Sequence, residues 1–185
     1  MRHLVRTGVR AEWSNPGVQK MWDSWTLECD FNNQLDLYGL ESLAARTWKE
    51  SGACLVRFHV EPSMDVPLKL QLLEPDHIDM NKNDAVGTNG NFTFMGIEFD
   101  RFGRRVAYWL FPSHPGESLT MGMHGLVSQR VPADDVIHLY SIDRPGQVHG
   151  VPQLAVSIMK ARDLDDYEEA ELLRKKIEAC LLNIT

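Results

Sequence analysis

Arg130-Val-Pro-Ala-Asp-Asp-Val-Ile-His-Leu-Tyr-Ser-Ile-Asp-Arg-Pro-Gly-Gln-Val-His-Gly-Val-Pro-Gln-Leu154 decides how this chain is read. Val136, Ile137, Leu139 and Tyr140 are β-formers in a short run, which predicts a strand. Arg144-Pro145-Gly146-Gln147 then forces a turn. Gly150-Val151-Pro152 opens a helix, because proline is tolerated in a first helical turn, where its missing N–H has no partner to lose. Strand, rigid elbow and helix make a mechanical joint with no reaction centre in it.

The helix predicted from this elbow runs from about Pro152 to Leu182. At about 30 residues and 1.5 Å per residue it would reach roughly 45 Å, more than a small domain needs. Asp163, Asp165, Asp166, Glu168, Glu169 and Glu171 precede Arg174, Lys175 and Lys176, an order that complements the helix dipole. Leu154, Ile158, Leu164, Tyr167, Leu172, Ile177 and Leu181 form a loose apolar stripe. The excess length should project, and its apolar positions then need a partner.

Upstream, Val18 to Glu28 and Leu35 to Glu50 have helical spacing. The second puts Leu37, Leu40, Leu43, Ala44 and Trp48 on one face and ends at Ser51-Gly52, glycine being the usual residue just past a helix. Ala53 to Val60 reads as a strand with Cys54, Val56, Phe58 and Val60 on one face and Arg57 and His59 on the other. A second strand covers Leu68 to Leu73. Asp79 to Asn91 reads as a mobile loop. Thr93–Phe99 and Arg104–Phe111 form a hairpin around Asp100-Arg-Phe-Gly103, and Pro112 to Gly125 is another loop. The expected fold class is α+β: N-terminal helices, a small antiparallel sheet or partly open barrel, and a long C-terminal helix.

At 185 residues, 43% hydrophobic and 24% charged, the chain has the composition of a globular protein with one good core or two small ones. It has no apolar run of about 18 residues that could span a bilayer. Three widely spaced cysteines suit packed thiols better than a disulfide frame. Acidic residues outnumber basic ones 26 to 19, a net charge of -7. Gripping duplex DNA by its phosphates calls for the opposite balance, whereas a surface that DNA slides past is compatible with it.

No catalytic constellation stands out. A phosphate-binding Gly-rich loop with Lys, a nucleophile elbow, Cys-x-x-Cys and i,i+4 histidine pairs are all missing from the sequence. His138, between Ile137 and Leu139, reads as structural. Asp76-His77 reads as a turn cap. The acids at 163–171 point around a helix instead of converging. Trp13, Trp22, Trp25, Trp48 and Trp109 could stack bases, but Trp22 and Trp48 fall on helix core faces. Arg104-Arg105 reads as solvated rim.

RVPADDVIHLY with RPGQVHGVP, the hairpin Gly96-Ile-Glu-Phe-Asp-Arg-Phe-Gly-Arg-Arg-Val-Ala-Tyr108, the helix opening Asp163-Leu-Asp-Asp-Tyr-Glu-Glu-Ala-Glu-Leu172, and Trp22-Asp-Ser-Trp25 with Cys29-Asp30 together resemble the portal proteins of lambda-family phages. The four pieces occur in that family's order. The resemblance marks Gly96, Asp100, Gly103, Pro132, His138, Arg144, Pro145, Gly146, Gln147, Gly150, Asp163, Asp166 and Tyr167 as structural signature residues, with no catalytic, cofactor or metal residue. It implies a homo-oligomeric ring of about a dozen subunits at one capsid vertex, closed by one repeated contact. Double-stranded DNA would pass through it non-specifically, with terminase and capsid or head–tail joining proteins as partners and no membrane. Residues 1–150 would form a wing-like body and 151–185 the start of a stem. The location implied is the virion, and the host bacterial cytoplasm during assembly. Members of that family are longer, so the chain is expected to be an excised fragment or a truncated prophage product. The competing readings are a metal-dependent hydrolase or nuclease drawing on His138, Asp143 and the 163–171 acids, and a monomeric adaptor domain.

Overall fold

The computed structural model describes residues 11–86, 90–117 and 127–182, the last two by their backbone alone. Its elements in chain order are α1 (Pro16–Glu28), α2 (Leu37–Ser51), β1 (Ala53–His59), β2 (Lys69–Leu73), β3 (Phe92–Phe94), β4 (Ile97–Phe99), β5 (Arg105–Leu110), β6 (Gln129–Pro132), β7 (Val136–Tyr140) and α3 (Ala155–Leu182). The class is α+β. The strands form two antiparallel sheets, β2-β1-β7 and β3-β4-β5-β6, and neither closes into a barrel.

The first two helices start where a side chain can replace a missing backbone partner. Asn15 accepts from the Gly17 N–H at 2.9 Å, with Pro16 in the first turn. Asp36 accepts from the Gly39 N–H at 2.8 Å. Such caps contribute about 1 kcal/mol each. Between the helices the buried Asp30 carboxylate accepts from the backbone N–H groups of Asn32, Gln34 and Leu35, at 2.7–3.0 Å. That satisfies a group which would be costly to bury alone.

Sheet register explains the layering. Leu55 lies opposite Leu73 on one side and His138 on the other, so all three share a face. On that face Leu55, Leu73 and Val136 pack against Ile97, Phe99, Tyr108, Leu110 and Val131 of the second sheet. The opposite face offers Leu70 and Leu72 to Trp25, Cys29, Leu37 and Leu40 of the helical layer. The body is therefore helices on sheet on sheet, with the first sheet buried from both sides. Cys54 and Leu55 are both fully buried for this reason. The expected one-sided pattern of β1 fails at its start, where the second sheet takes the face assigned to Arg57 and His59.

Other departures are local. The run 93–99 is not one strand. Met95 (φ 49) and Gly96 (φ 77) form a two-residue turn between β3 and β4, the positive φ pair that a tight hairpin demands. Met95 is held there by its N–H bond to the Asn83 side chain, 2.9 Å. A Cβ at Gly96 would lie 2.6 Å from the Asp79 carbonyl oxygen. The Asp79–Asn91 segment is irregular but pinned where it is described: Asp84 and Thr93 exchange both backbone hydrogen bonds. β6 escapes the sequence reading because it is short and three of its four residues are exposed. Most of the Pro112–Gly125 loop lies outside the described residues. The last helix begins at Ala155, three residues later than expected, with Pro152 in the preceding turn.

Leu55 is 0% exposed between the two sheets. Leu55→Ala should cost about 2–5 kcal/mol, read as a lowered urea midpoint with an unchanged slope.

Candidate functional site

β7 ends at Tyr140, and α3 begins at Ala155. The elbow between them is tied down from four directions. Gln147 is the central staple. Its amide donates to the carbonyls of Ser141 (3.1 Å) and His149 (2.8 Å), while its Oε1 accepts from the Asp143 N–H (2.8 Å). The Gln147 N–H closes the 144–147 turn on the Arg144 carbonyl, with Gly146 at φ 76.

The second tie is to the second sheet. Arg105 on β5 donates to the Tyr140 hydroxyl and to the Val148 carbonyl (3.1 Å), and the Tyr140 hydroxyl donates to the Gln147 carbonyl (3.0 Å). The guanidinium also lies 5.2 Å from the Tyr140 ring centroid. Arg105 is therefore turned inward, not part of a solvated rim with Arg104. The third tie runs from His149 Nε2 to the Met95 carbonyl at the β3–β4 turn, 3.0 Å.

The fourth tie is a contact of bare backbone. Gly52 caps α2 in the left-handed conformation (φ 84). A Cβ there would come within 2.5 Å of Pro152 N and Val151 C, and a Cβ on Gly150 would fall onto the Gly52 carbonyl oxygen. Only two glycines let the elbow cross α2 this closely. The end of α2, β5, β7 and the β3–β4 turn thus jointly fix where the terminal helix leaves.

Beneath the elbow lies a cluster of aromatic and basic rings. His138 faces Tyr140 (4.6 Å between centroids), Tyr108 (5.7 Å) and His149 (6.0 Å). Neither of its nitrogens has a hydrogen-bond partner. Burial, with the Arg105 and His149 charges beside it, lowers its pKa from 6.5 to about 3. Burial likewise lowers His149 and raises Tyr108. An imidazole held as far below its usual range as His138 is a poor acid–base catalyst at neutral pH.

α3 carries no such packing. Over its 28 residues, every side chain described is exposed except the half-buried Glu171. Val156 is 79% exposed, Tyr167 63% and Leu172 58%. The expected projection holds for the whole helix. Large apolar side chains left bare in this density are characteristic of an interaction surface. The Leu181 side chain lies outside those described.

The structure brings some signature residues together and leaves others apart. His138, Gln147 and Gly150 meet at the elbow, with Gly96 at the neighbouring turn; Arg144, Pro145 and Gly146 form its exposed loop. Pro132 ends β6. Asp100 and Gly103 shape the β4–β5 loop, where the Asp100 carboxylate accepts from the Phe102 and Arg104 N–H groups. Asp163, Asp166 and Tyr167 stand exposed on α3. Arg105 and Gly52 are site residues that sequence reasoning missed. Each was visible only as part of a turn or a cap, and its partner is distant in the chain.

The groups of the competing metal reading do not converge. His138 is enclosed by rings, Asp143 is exposed at the loop, and the α3 acids face solvent. Among the described residues, one set of three ligand atoms is close enough to share an ion: Glu74, Asp76 and His114. There Asp76 is not the expected turn cap, since no side chain caps that turn. Its carboxylate faces His114 Nε2 at 3.6 Å, with Glu74 at 3.5 Å. The Gly116 N–H donates to His114 Nδ1 at 3.0 Å, and His114 Nε2 faces the two carboxylates without a hydrogen bond to either. Trp13, Trp22 and Trp25 form a tilted ladder at 6.0 and 5.2 Å, with Trp13 exposed and Trp25 buried, and Trp109 lies under Lys82.

Residues 2–184 match the sequence model of the family described as "Phage portal protein, lambda family". A "Probable portal protein" of Halomonas phage phiHAP-1 is 27% identical over 158 residues, covering 84% of this chain and 30% of the relative. The chain thus spans under a third of that relative's length.

Two outcomes test the elbow. Gly150→Ala should destabilise the fold by about 2 kcal/mol or more, since the added methyl meets backbone that must move; a change under about 0.5 kcal/mol in chemical denaturation would contradict the contact. His138 is neutral when folded and takes up a proton near pH 6.5 only when unfolded. Its contribution is complete above that pH and is lost as pH falls toward about 3. Between about pH 6.5 and about 5, above the usual carboxylate range, stability should fall in the native protein and fall less in His138→Phe.

Proposed function

The chain belongs to the lambda family of phage portal proteins, and on that premise we propose that it is a structural subunit of a portal ring, the DNA conduit at one capsid vertex. Residues 1–150 serve as the wing-like body and 151–185 as the start of the stem. The ring is closed and homo-oligomeric, of about a dozen copies related by one repeated contact. It docks to terminase while the genome is packaged, and to capsid and head–tail joining proteins afterwards. It resides in the virion and assembles in the host bacterial cytoplasm. The chain performs no bond chemistry of its own.

One observation carries this reading. A helix 28 residues long leaves the body through a rigid elbow with its apolar side chains bare. At 1.5 Å per residue it extends about 42 Å. An isolated domain gains nothing from such an element, because its exposed leucines and isoleucines are stabilised only when another surface removes them from water. In a ring, identical helices set at a fixed angle cover one another. The net charge of -7 fits a conduit through which a polyanion passes without being held. No helix among the described residues is long and apolar enough to cross a membrane.

Electron microscopy of the complete gene product should show closed rings, and a product that stays single at every concentration would contradict the proposal. Leu164→Asp with Leu172→Asp should abolish ring formation while leaving the melting of the body within about 2 °C of the parent, since both side chains are bare in the single chain. Equal loss of body stability would show that the helix is packed within its own subunit.

A further inference from the structure

We propose that the tip of the β4–β5 hairpin docks onto the acidic first half of α3 of a neighbouring copy. This rests on the ring reading above and names the surfaces that would meet within it.

The tip is preorganised. The Asp100 carboxylate accepts from the Phe102 and Arg104 N–H groups, both at 2.8 Å, and the Asp100 and Gly103 backbones close the loop at 2.9 Å. This leaves Phe102 68% exposed at the apex. The guanidinium carbons of Arg101 and Arg104 lie 4.7 and 5.8 Å from its ring centroid. Asp100 takes both backbone donors on Oδ1, and among the described residues no carboxylate pairs with either arginine. An exposed aromatic ring with two guanidinium groups beside it has the composition that interface centres favour.

The matching surface is on the same chain. Asp163, Asp165, Asp166, Glu168 and Glu169 are exposed on α3, and among the described residues none has an ion-pair partner. The helix's own pairs come later, from Arg174 to Glu171 and Glu178. Leu164 and Tyr167, 58% and 63% exposed, sit among those acids. One patch is aromatic and cationic, the other apolar and anionic. Among the described residues no ion pair joins the two within one copy. Rotational closure of a ring requires two different patches on every subunit, each meeting the other on the next copy.

Nucleic acid fits the tip less well. Two arginines neutralise only about two phosphates, too few for firm duplex binding at physiological salt. The rest of the chain is acidic and adds repulsion.

The test replaces Phe102 by p-benzoylphenylalanine in the complete gene product, assembled from a mixture of heavy-isotope and normal copies with duplex DNA present. Light-induced cross-links should join heavy to normal copies and map to residues 163–170. In parallel, Arg101→Glu with Arg104→Glu should weaken assembly at least tenfold, and Asp165→Lys with Asp166→Lys should restore it. Cross-links within one copy, to another region, to DNA, or none at all in intact rings would overturn this inference and leave the ring reading standing. A product that forms no ring even with unaltered residues would overturn both.

Discussion

Two glycine backbones in contact set the geometry on which the rest depends. Gly52 ends α2 in a left-handed conformation, and Gly150 crosses directly over its carbonyl. No side chain fits between them, so the elbow cannot rise off the body without losing the contact altogether. Gln147 makes the same segment stiff along its length by satisfying three backbone groups with one amide. A helix leaving such a joint inherits its direction from the body. If one subunit is to present the same helix at the same angle as every other, stiffness there matters more than chemistry.

The free energy is divided unevenly between the parts. The body buries its apolar groups in two layers, one between the sheets and one under the helices. Its buried carboxylates have partners: Asp30 takes three backbone donors, and Glu98 holds Arg130 through both carboxylate oxygens, a bond that keeps the Glu98 carboxyl below its usual range. α3 has nothing comparable. Its acid-to-base order helps it stay helical through the dipole, yet such terms are worth only tenths of a kcal/mol. A long helix so weakly supported draws its stability from whatever covers its leucines.

Local chemistry was legible in the sequence, and contacts between distant segments were not. The Asp-Arg-Phe-Gly turn, the Arg-Pro-Gly-Gln loop, the glycine cap of α2 and the bare terminal helix all follow from residue types at fixed spacing. The α+β class followed from the same signals. What was missed depended on layering. Nothing in Ala53–His59 says that a second sheet covers Leu55, so the faces of β1 were assigned on a one-sided pattern. Arg105 beside Arg104 looked like rim until Tyr140 and Val148, far along the chain, turned it inward. Met95 carries no turn signal of its own, and its left-handed conformation follows from Asn83 and the glycine after it. Pro152 resembled a helix start, but the close approach to Gly52 holds residues 150–152 and delays the helix to Ala155.

Hydrogen exchange along α3 tests the central claim most directly. The account predicts that amides of residues 155–182 exchange rapidly in the single chain while β1 and β5 remain protected, and that the same helix becomes protected in the assembled product. Strong protection of α3 in a chain whose measured mass is that of one copy would contradict it, because the helix would then be stabilised without a neighbour.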